Sequence, residues 1–143
     1  MVKYIDATEM VLGRMSSIVA KMLLNGEEIV ILNAENTAIV GKKHEIYRRY
    51  DHKRTLGDGN NSRKGPFYPR MPDMIVKRTV RGMLPRNNSS RGRDALKRLK
   101  VHIGTPSEFK KVKLTDINAR VEGIEGTTYI TVGDLSRHMG AKF

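Results

Sequence analysis

Seven apolar residues, Val11, Leu12, Met15, Ile18, Val19, Met22 and Leu23, recur at helical spacing, and an unbroken apolar run, Ile29-Val30-Ile31-Leu32, follows within six residues. The stripe predicts a helix with one buried face. The run suits a strand covered on both sides, as in a parallel sheet. Val2–Ile5 is a short β-prone run ahead of the stripe, and Asn25-Gly26 supplies a stop for the helix because both residues tolerate the left-handed conformation. The opening segment therefore reads as β-α-β with a right-handed crossover. No other part of the chain restricts the fold so strongly, since parallel strands require a crossover and an amphipathic crossover helix requires a sheet beneath it.

The rest of the chain is read around that unit. Residues 36–41 are ambiguous between a short strand and a helical turn. Lys42–Arg54 is polar and reads as a helix with Ile46, Tyr47 and Tyr50 as its core-facing residues. Residues 55–72 carry Gly57, Gly59, Gly65, Pro66, Pro69 and Pro72 and read as a long loop. A loop of that length inside a compact domain usually has a function. Asp73 is placed to cap a helix running to Leu84, with Ile75, Thr79, Val80, Met83 and Leu84 inward and Lys77, Arg78 and Arg81 together on another side. A short basic helix over Gly92–Leu99, strands at Val101–Ile103 and Tyr129–Val132, and a last helix over Gly133–Met139 closed by Gly140 complete the reading. The 143 residues, 38% of them hydrophobic, suffice for one domain, 1–143, with a modest core.

Charge divides the chain more sharply than hydropathy does. Lys and Arg number 27 against 15 Asp and Glu, a net charge of +12. Residues 41–100 hold 18 of the cations and only 5 of the carboxylates, so the whole surplus lies in the middle of the chain. The flanks read as a near-neutral scaffold and segment 41–100 as a binding surface. Such a concentration of like charge repels itself and implies a polyanionic partner. There is no Cys, which excludes disulfides and thiolate metal sites. The first residues lack the charged start and long apolar centre of a signal peptide, and no stretch approaches the roughly 20 apolar residues of a membrane span. A cytoplasmic protein with no membrane partner is expected.

Other chemistry finds no support in the residues. The turn after the first strand, Asp6-Ala7-Thr8-Glu9-Met10, has no glycine fingerprint for a dinucleotide, and the phosphate-binding Walker pattern is absent. His44, His52, His102 and His138 show no i, i+4 pairing and have no Cys partners. His44 and His52 read as part of the basic surface and His102 as a strand-edge residue. The carboxylates of the basic segment are explained locally, Asp73 as a cap and Glu45 and Asp51 as partners of neighbouring cations. No catalytic residue, cofactor, metal or small-molecule substrate is expected.

The basic segment has the character that RNA binding requires, but the charge signals polyanion binding more strongly than it says which polyanion. Arg and Lys neutralise phosphates and release counterions, and Arg also stacks on exposed bases. Four clusters stand out: Arg48, Arg49, Lys53 and Arg54; then Arg63, Lys64, Tyr68 and Arg70 with Phe67; then Lys77, Arg78, Arg81 and Arg86; then Arg91, Arg93, Lys97, Arg98 and Lys100. Any single cation could equally belong to a solvated face, and Phe67 and Tyr68 could pack against the domain instead of stacking on bases. The set as a whole needs a counter-charge. No helix-turn-helix, zinc finger or zipper points to DNA.

Particular strings carry a resemblance. Tyr4-Ile5-Asp6-Ala7, Leu12-Gly13-Arg14-Met15-Ser16-Ser17, Ile31-Leu32-Asn33-Ala34-Glu35, Val40-Gly41-Lys42-Lys43, Val80-Arg81-Gly82-Met83-Leu84-Pro85 and Leu96–Gly104 resemble, in order and spacing, the universal L-thirteen family of large-subunit ribosomal proteins. Gly65–Asp73 is similar to its archaeal and eukaryotic branch, and the short chain favours the archaeal type. The resemblance covers about residues 2–108, with 109–143 less distinctive. It implies an α/β fold of three layers, α/β/α, around a small, mainly parallel four-stranded sheet, with a basic loop and helical extension. It further implies a non-enzymatic constituent of the large ribosomal subunit that binds and organises large-subunit ribosomal RNA early in assembly, beside neighbouring large-subunit proteins. A regulatory RNA-binding protein outside the ribosome is the alternative. Arg14, Lys42 and Lys43 are secondary candidates for RNA contact because they fall in the shared strings.

Overall fold

The computed structural model describes residues 2–56, 63–85, 89–121 and 128–143. Strand β1 (Val2–Asp6) leads through helix α1 (Leu12–Leu24) to β2 (Glu28–Leu32), and β1 and β2 pair in parallel from Val2 opposite Glu28 to Asp6 opposite Leu32. Leu12, Met15, Val19 and Leu23 of α1 are buried. At about 1.5–3 kcal/mol for each large apolar side chain taken out of water, packing outweighs intrinsic propensity in holding this helix. Its end is a Schellman motif: Gly26, at φ +93°, donates to the Leu23 carbonyl and Glu27 to that of Met22. Of the two expected stop residues, Gly26 alone is left-handed. Asn25 remains in the right-handed helical region.

A short 3-10 turn (Ala34–Asn36) precedes β3 (Ala38–Val40), which resolves the ambiguity at 36–41 in favour of turn and strand together. Helices α2 (Lys43–Thr55), α3 (Pro72–Met83) and α4 (Ser90–Lys97) follow, then β4 (Leu99–Val101). Strand β4 pairs in parallel with β2 and completes a three-stranded sheet in the order β1-β2-β4. Strand β5 (Tyr129–Thr131) pairs antiparallel with β3 as a separate ribbon, and α5 (Val132–His138) closes the chain. Thr131 caps α5 by accepting from the Asp134 amide, and Gly140 follows at φ +83°.

Several boundaries differ from the sequence reading. Among the described residues the main sheet has three full strands, not four. The fourth place, on the free edge of β1, is held by a single bridge between Tyr4 and Leu114, with Thr115 donating to the Tyr4 carbonyl. The segment leading there carries a 3-10 turn at Ser107–Phe109, and although Val112 and Leu114 alternate with Lys111 and Lys113, Val112 is only half-buried and Leu114 is exposed, so the alternation builds no buried strand along the edge. Strand β4 begins at Leu99, two residues before the expected start, because Leu99 is the side chain that enters the core. Asp73 is not the N-cap of α3. Met71 occupies that position, Pro72 is the first helical residue and Asp73 lies in the first turn, where its charge still favours the helix start. On α3 the buried residues are Pro72, Ile75, Val76 and Val80, while Met83 is exposed.

Layering follows from strand parity. Ile5, Ile29, Ile31 and Leu99 share one face and join the core with α1, α3 and α4. Tyr4, Val30 and Leu32 point the other way, where the Phe109 ring lies 5.5 Å from those of Tyr4 and His102. The α/β fold thus has three layers, with the third thinned to a 3-10 turn and its flanking chain. At the carboxyl ends of the strands Asn33, at φ +54°, donates to Asp6 and accepts from Thr105, while Glu35 accepts the Gly104 amide. The string Asn33-Ala34-Glu35 is therefore a clasp that fastens β1, β2 and the chain after β4 to one another.

Candidate nucleic-acid interface

The basic segment divides into three helices and a described loop, and each presents cations differently. On α2, Ile46 alone is buried, and Tyr47 and Tyr50 are half-buried. This leaves Arg48 and Arg49 exposed and Lys53 and Arg54 partly so. On α3 the apolar positions face α1, which turns Lys77, Arg78 and Arg81 outward as their spacing required. The loop 63–71 crosses outside α3 and is anchored there, because the Arg78 guanidinium donates to the Phe67 carbonyl at 2.7 Å.

Tyr68 is the hinge of this arrangement. Its ring is covered by the Arg78 guanidinium at 4.0 Å, and the Lys53 ammonium lies 5.9 Å from its centre. Lys53 is also 5.0 Å from the Tyr50 ring. Cation–π contacts of this kind are worth roughly 0.5–1 kcal/mol where exposed, so they orient the cations without neutralising them. Burial pushes the Tyr50 hydroxyl up, against the opposing pull of Arg49, and keeps that phenol neutral. Tyr68 thus packs, whereas Phe67 beside it is 69% exposed.

Two clefts lie on either side of the Tyr68–Arg78 stack. The larger, about 590 Å³, runs between α2 and α3 over β3 and reaches the start of α1. Arg49, Lys53 and Arg78 line it together with Tyr50, Tyr68, Gly13 and Gly82. The smaller, about 360 Å³, is mainly apolar, with Phe67, Met74 and Leu96 inside a rim of Lys77, Arg78 and Arg81. Among the described residues no carboxylate pairs with Arg49, Lys53, Lys77, Arg78 or Arg81. Cations grouped round an opening without counter-ions form a surface that attracts an anion from outside.

The structure brings Arg49, Lys53, Tyr68, Lys77, Arg78 and Arg81 together and leaves other named residues apart. Arg48, Arg63, Lys64, Arg70, Arg91 and Arg93 are exposed outside the clefts. Arg54 donates to the Met139 carbonyl at 3.3 Å and so ties α2 to the end of α5. Lys97 pairs with Asp94 at 3.4 Å on the surface of α4. Arg98 has an internal role: its guanidinium donates to the Leu23 carbonyl at 2.9 Å, at the negative end of α1. Arg86 lies outside the described residues. Arg14, Lys42 and Lys43 are exposed, with Lys43 5.6 Å from the Tyr47 ring. Asp51 pairs with His138, at 2.9 Å, and not with its basic neighbours. The sequence reading assigned Tyr50 to the core and gave no site role to Gly13, Gly82 or Met74. A glycine near the end of an otherwise good helix was the one available signal.

Fold and surface together define a basic α/β protein that gathers cations on one carboxylate-poor face. The chain belongs to the Ribosomal protein L13 family, whose model matches residues 1–108. It is 45% identical to the large ribosomal subunit protein uL13 of Methanococcoides burtonii, over 97% of this chain and 98% of that one. Identity to the protein of the same name from Archaeoglobus fulgidus is 47%, over 95% of this chain and 86% of that one. The namesake from Methanosphaera stadtmanae is 43% identical and aligned over the full length of both chains. Residues 109–143, beyond the family match, are thus shared with archaeal relatives.

Proposed function

We propose that this chain is a structural constituent of the large ribosomal subunit that binds and organises large-subunit ribosomal RNA. Neighbouring large-subunit proteins are its further partners, and it has no catalytic role of its own. The observation that carries this is the group Arg49, Lys53, Lys77, Arg78 and Arg81, gathered round Tyr68 with no carboxylate partner among the described residues, in a member of this family. The scaffold holds these cations at fixed positions, so that phosphates from more than one RNA segment can be drawn together and their repulsion relieved. The RNA-contacting set comprises Arg48, Arg49, Lys53, Arg54, Arg63, Lys64, Tyr68, Arg70, Lys77, Arg78, Arg81, Arg86, Arg91, Arg93 and Lys97. Arg98 contributes mainly by holding α4 against α1.

The test is binding of the purified chain to large-subunit ribosomal RNA as salt is varied, with Lys77, Arg78 and Arg81 replaced by Ala. Each phosphate contact contributes about 0.9 to the slope of log affinity against log salt in duplex nucleic acid, so the triple variant should bind more weakly with a slope smaller by about 2–3. An unchanged slope removes α3 from the interface. Cofractionation with large subunits in a high-salt gradient tests the ribosomal assignment. A chain that binds RNA but stays at the top of the gradient would be a regulatory binder.

A further inference from the structure

Two glycines have no explanation among the described residues. Among the described glycines, Gly26, Gly41, Gly65, Gly104 and Gly140 have positive φ, where L side chains are strained. Gly92 and Gly133 have helical backbones but little or no room, since an added Cβ at Gly92 would run into the Pro85 carbonyl oxygen and one at Gly133 would crowd that of Glu35 at 3.1 Å. Gly13 and Gly82 have neither reason: both lie within helices, and an added Cβ would meet nothing within 4 Å. Alanine is the better helix residue at such positions. Gly13 and Gly82 come from different helices, yet both line the same cleft, the one ringed by Arg49, Lys53 and Arg78.

We infer that this cleft seats a sugar–phosphate backbone segment of large-subunit ribosomal RNA, and that Gly13 and Gly82 are the two points where that backbone comes closest. The inference rests on the RNA-binding reading and goes beyond it by naming the seat. The missing side chains leave room that no described residue uses. The unpaired cations fix the sign of what fills it. Ile75, Arg78, Thr79 and Gly82 fall at i, i+3, i+4 and i+7 on α3, so one stripe of that helix forms the wall. Glycine permits backbone-to-backbone approach, and an α-carbon without a substituent lets a ribose or phosphate lie against the helix. The Tyr68–Arg78 stack then holds the guanidinium at the cleft wall before RNA arrives.

Glycines kept for an outside partner and glycines kept for the fold respond oppositely to substitution. Gly13→Ala, Gly82→Ala and Gly82→Leu should leave the melting temperature of the free protein unchanged or raise it by about 1–4 °C. Affinity for naked large-subunit ribosomal RNA should fall, by about threefold to tenfold for each Ala variant and further for Leu. The salt slope should stay at the wild-type value, because no cation has been removed. Unchanged affinity with unchanged or raised stability would overturn the seat while leaving RNA binding intact. A lowered melting temperature would mean the glycines serve the fold and would overturn it too. A defect that appears only when other subunit proteins are present would assign the cleft to a protein partner, which also refutes the proposal. Failure of the wild-type chain to bind that RNA at all would instead strike the reading beneath it.

Discussion

Single side chains separate what the protein uses for itself from what it offers outward. Asp6 belongs to the first kind. Burial alone would raise its carboxyl, but hydrogen bonds from the Asn33 side chain and the Thr8 hydroxyl and amide, with the nearby Arg120 charge, outweigh it and hold the group below the ordinary carboxylate value. A carboxylate lowered on folding contributes stability above its unfolded pKa, and that contribution is lost as the pH falls through its folded one. Asp6→Ala should therefore cost about 1–2 kcal/mol at neutral pH. The difference from wild type should shrink as the pH falls below the carboxylate range, measured by urea melts at several pH values. A constant difference at all pH values would make the loss one of packing. Arg98 is the parallel case among the cations. Arg98→Ala should lower stability by about 1–3 kcal/mol, because its guanidinium hydrogen-bonds a helix-end carbonyl, with little change in the salt slope of RNA binding. A slope change equal to that of an exposed Arg would place it at the interface after all.

At the scale of elements, α4 packs closely against the chain just beyond α3. Gly92 on α4 lies against Pro85, just beyond α3, so closely that no Cβ fits. Gly92→Ala should destabilise the protein by about 1–3 kcal/mol, the usual result of overpacking, through displacement of α4. Thermal melts check this, and a neutral result would show that the junction can yield. Gly82, ten residues earlier, should respond in the opposite direction. The 63–71 loop is held to α3 by Arg78 and Tyr68, and its amide protection should increase when RNA is bound, as hydrogen exchange would record.

For the molecule as a whole, the distribution of charge is the dominant fact. The surplus within 41–100 is carried on elements packed onto a scaffold of nearly balanced charge. That placement makes the free protein electrostatically strained. Its melting temperature should rise as salt is increased from about 20 to 300 mM, as like charges are screened. RNA should give a larger rise at far lower concentration, because it binds the folded state more tightly than the unfolded one. A melting temperature that falls with salt would show that attractive ion pairs dominate instead.

Much of this was legible in the residues. Helical periodicity and an apolar run defined β1, α1 and β2, because a repeating pattern reports local geometry directly. The charge count marked out the segment proposed to bind RNA, because concentrated like charges repel one another unless a partner neutralises them. What the sequence left open were pairings between distant segments. The separation of β3 and β5 into their own ribbon, the single-bridge fourth edge, and the turning of Arg98 toward α1 each depend on groups far apart in the chain. So does the cleft: Gly13, Arg49, Tyr68 and Gly82 share no spacing in the sequence and meet only because α1, α2 and α3 pack round β3. Periodicity and composition act through neighbours along the chain, whereas a site is made of neighbours in space, and only packing decides which those are.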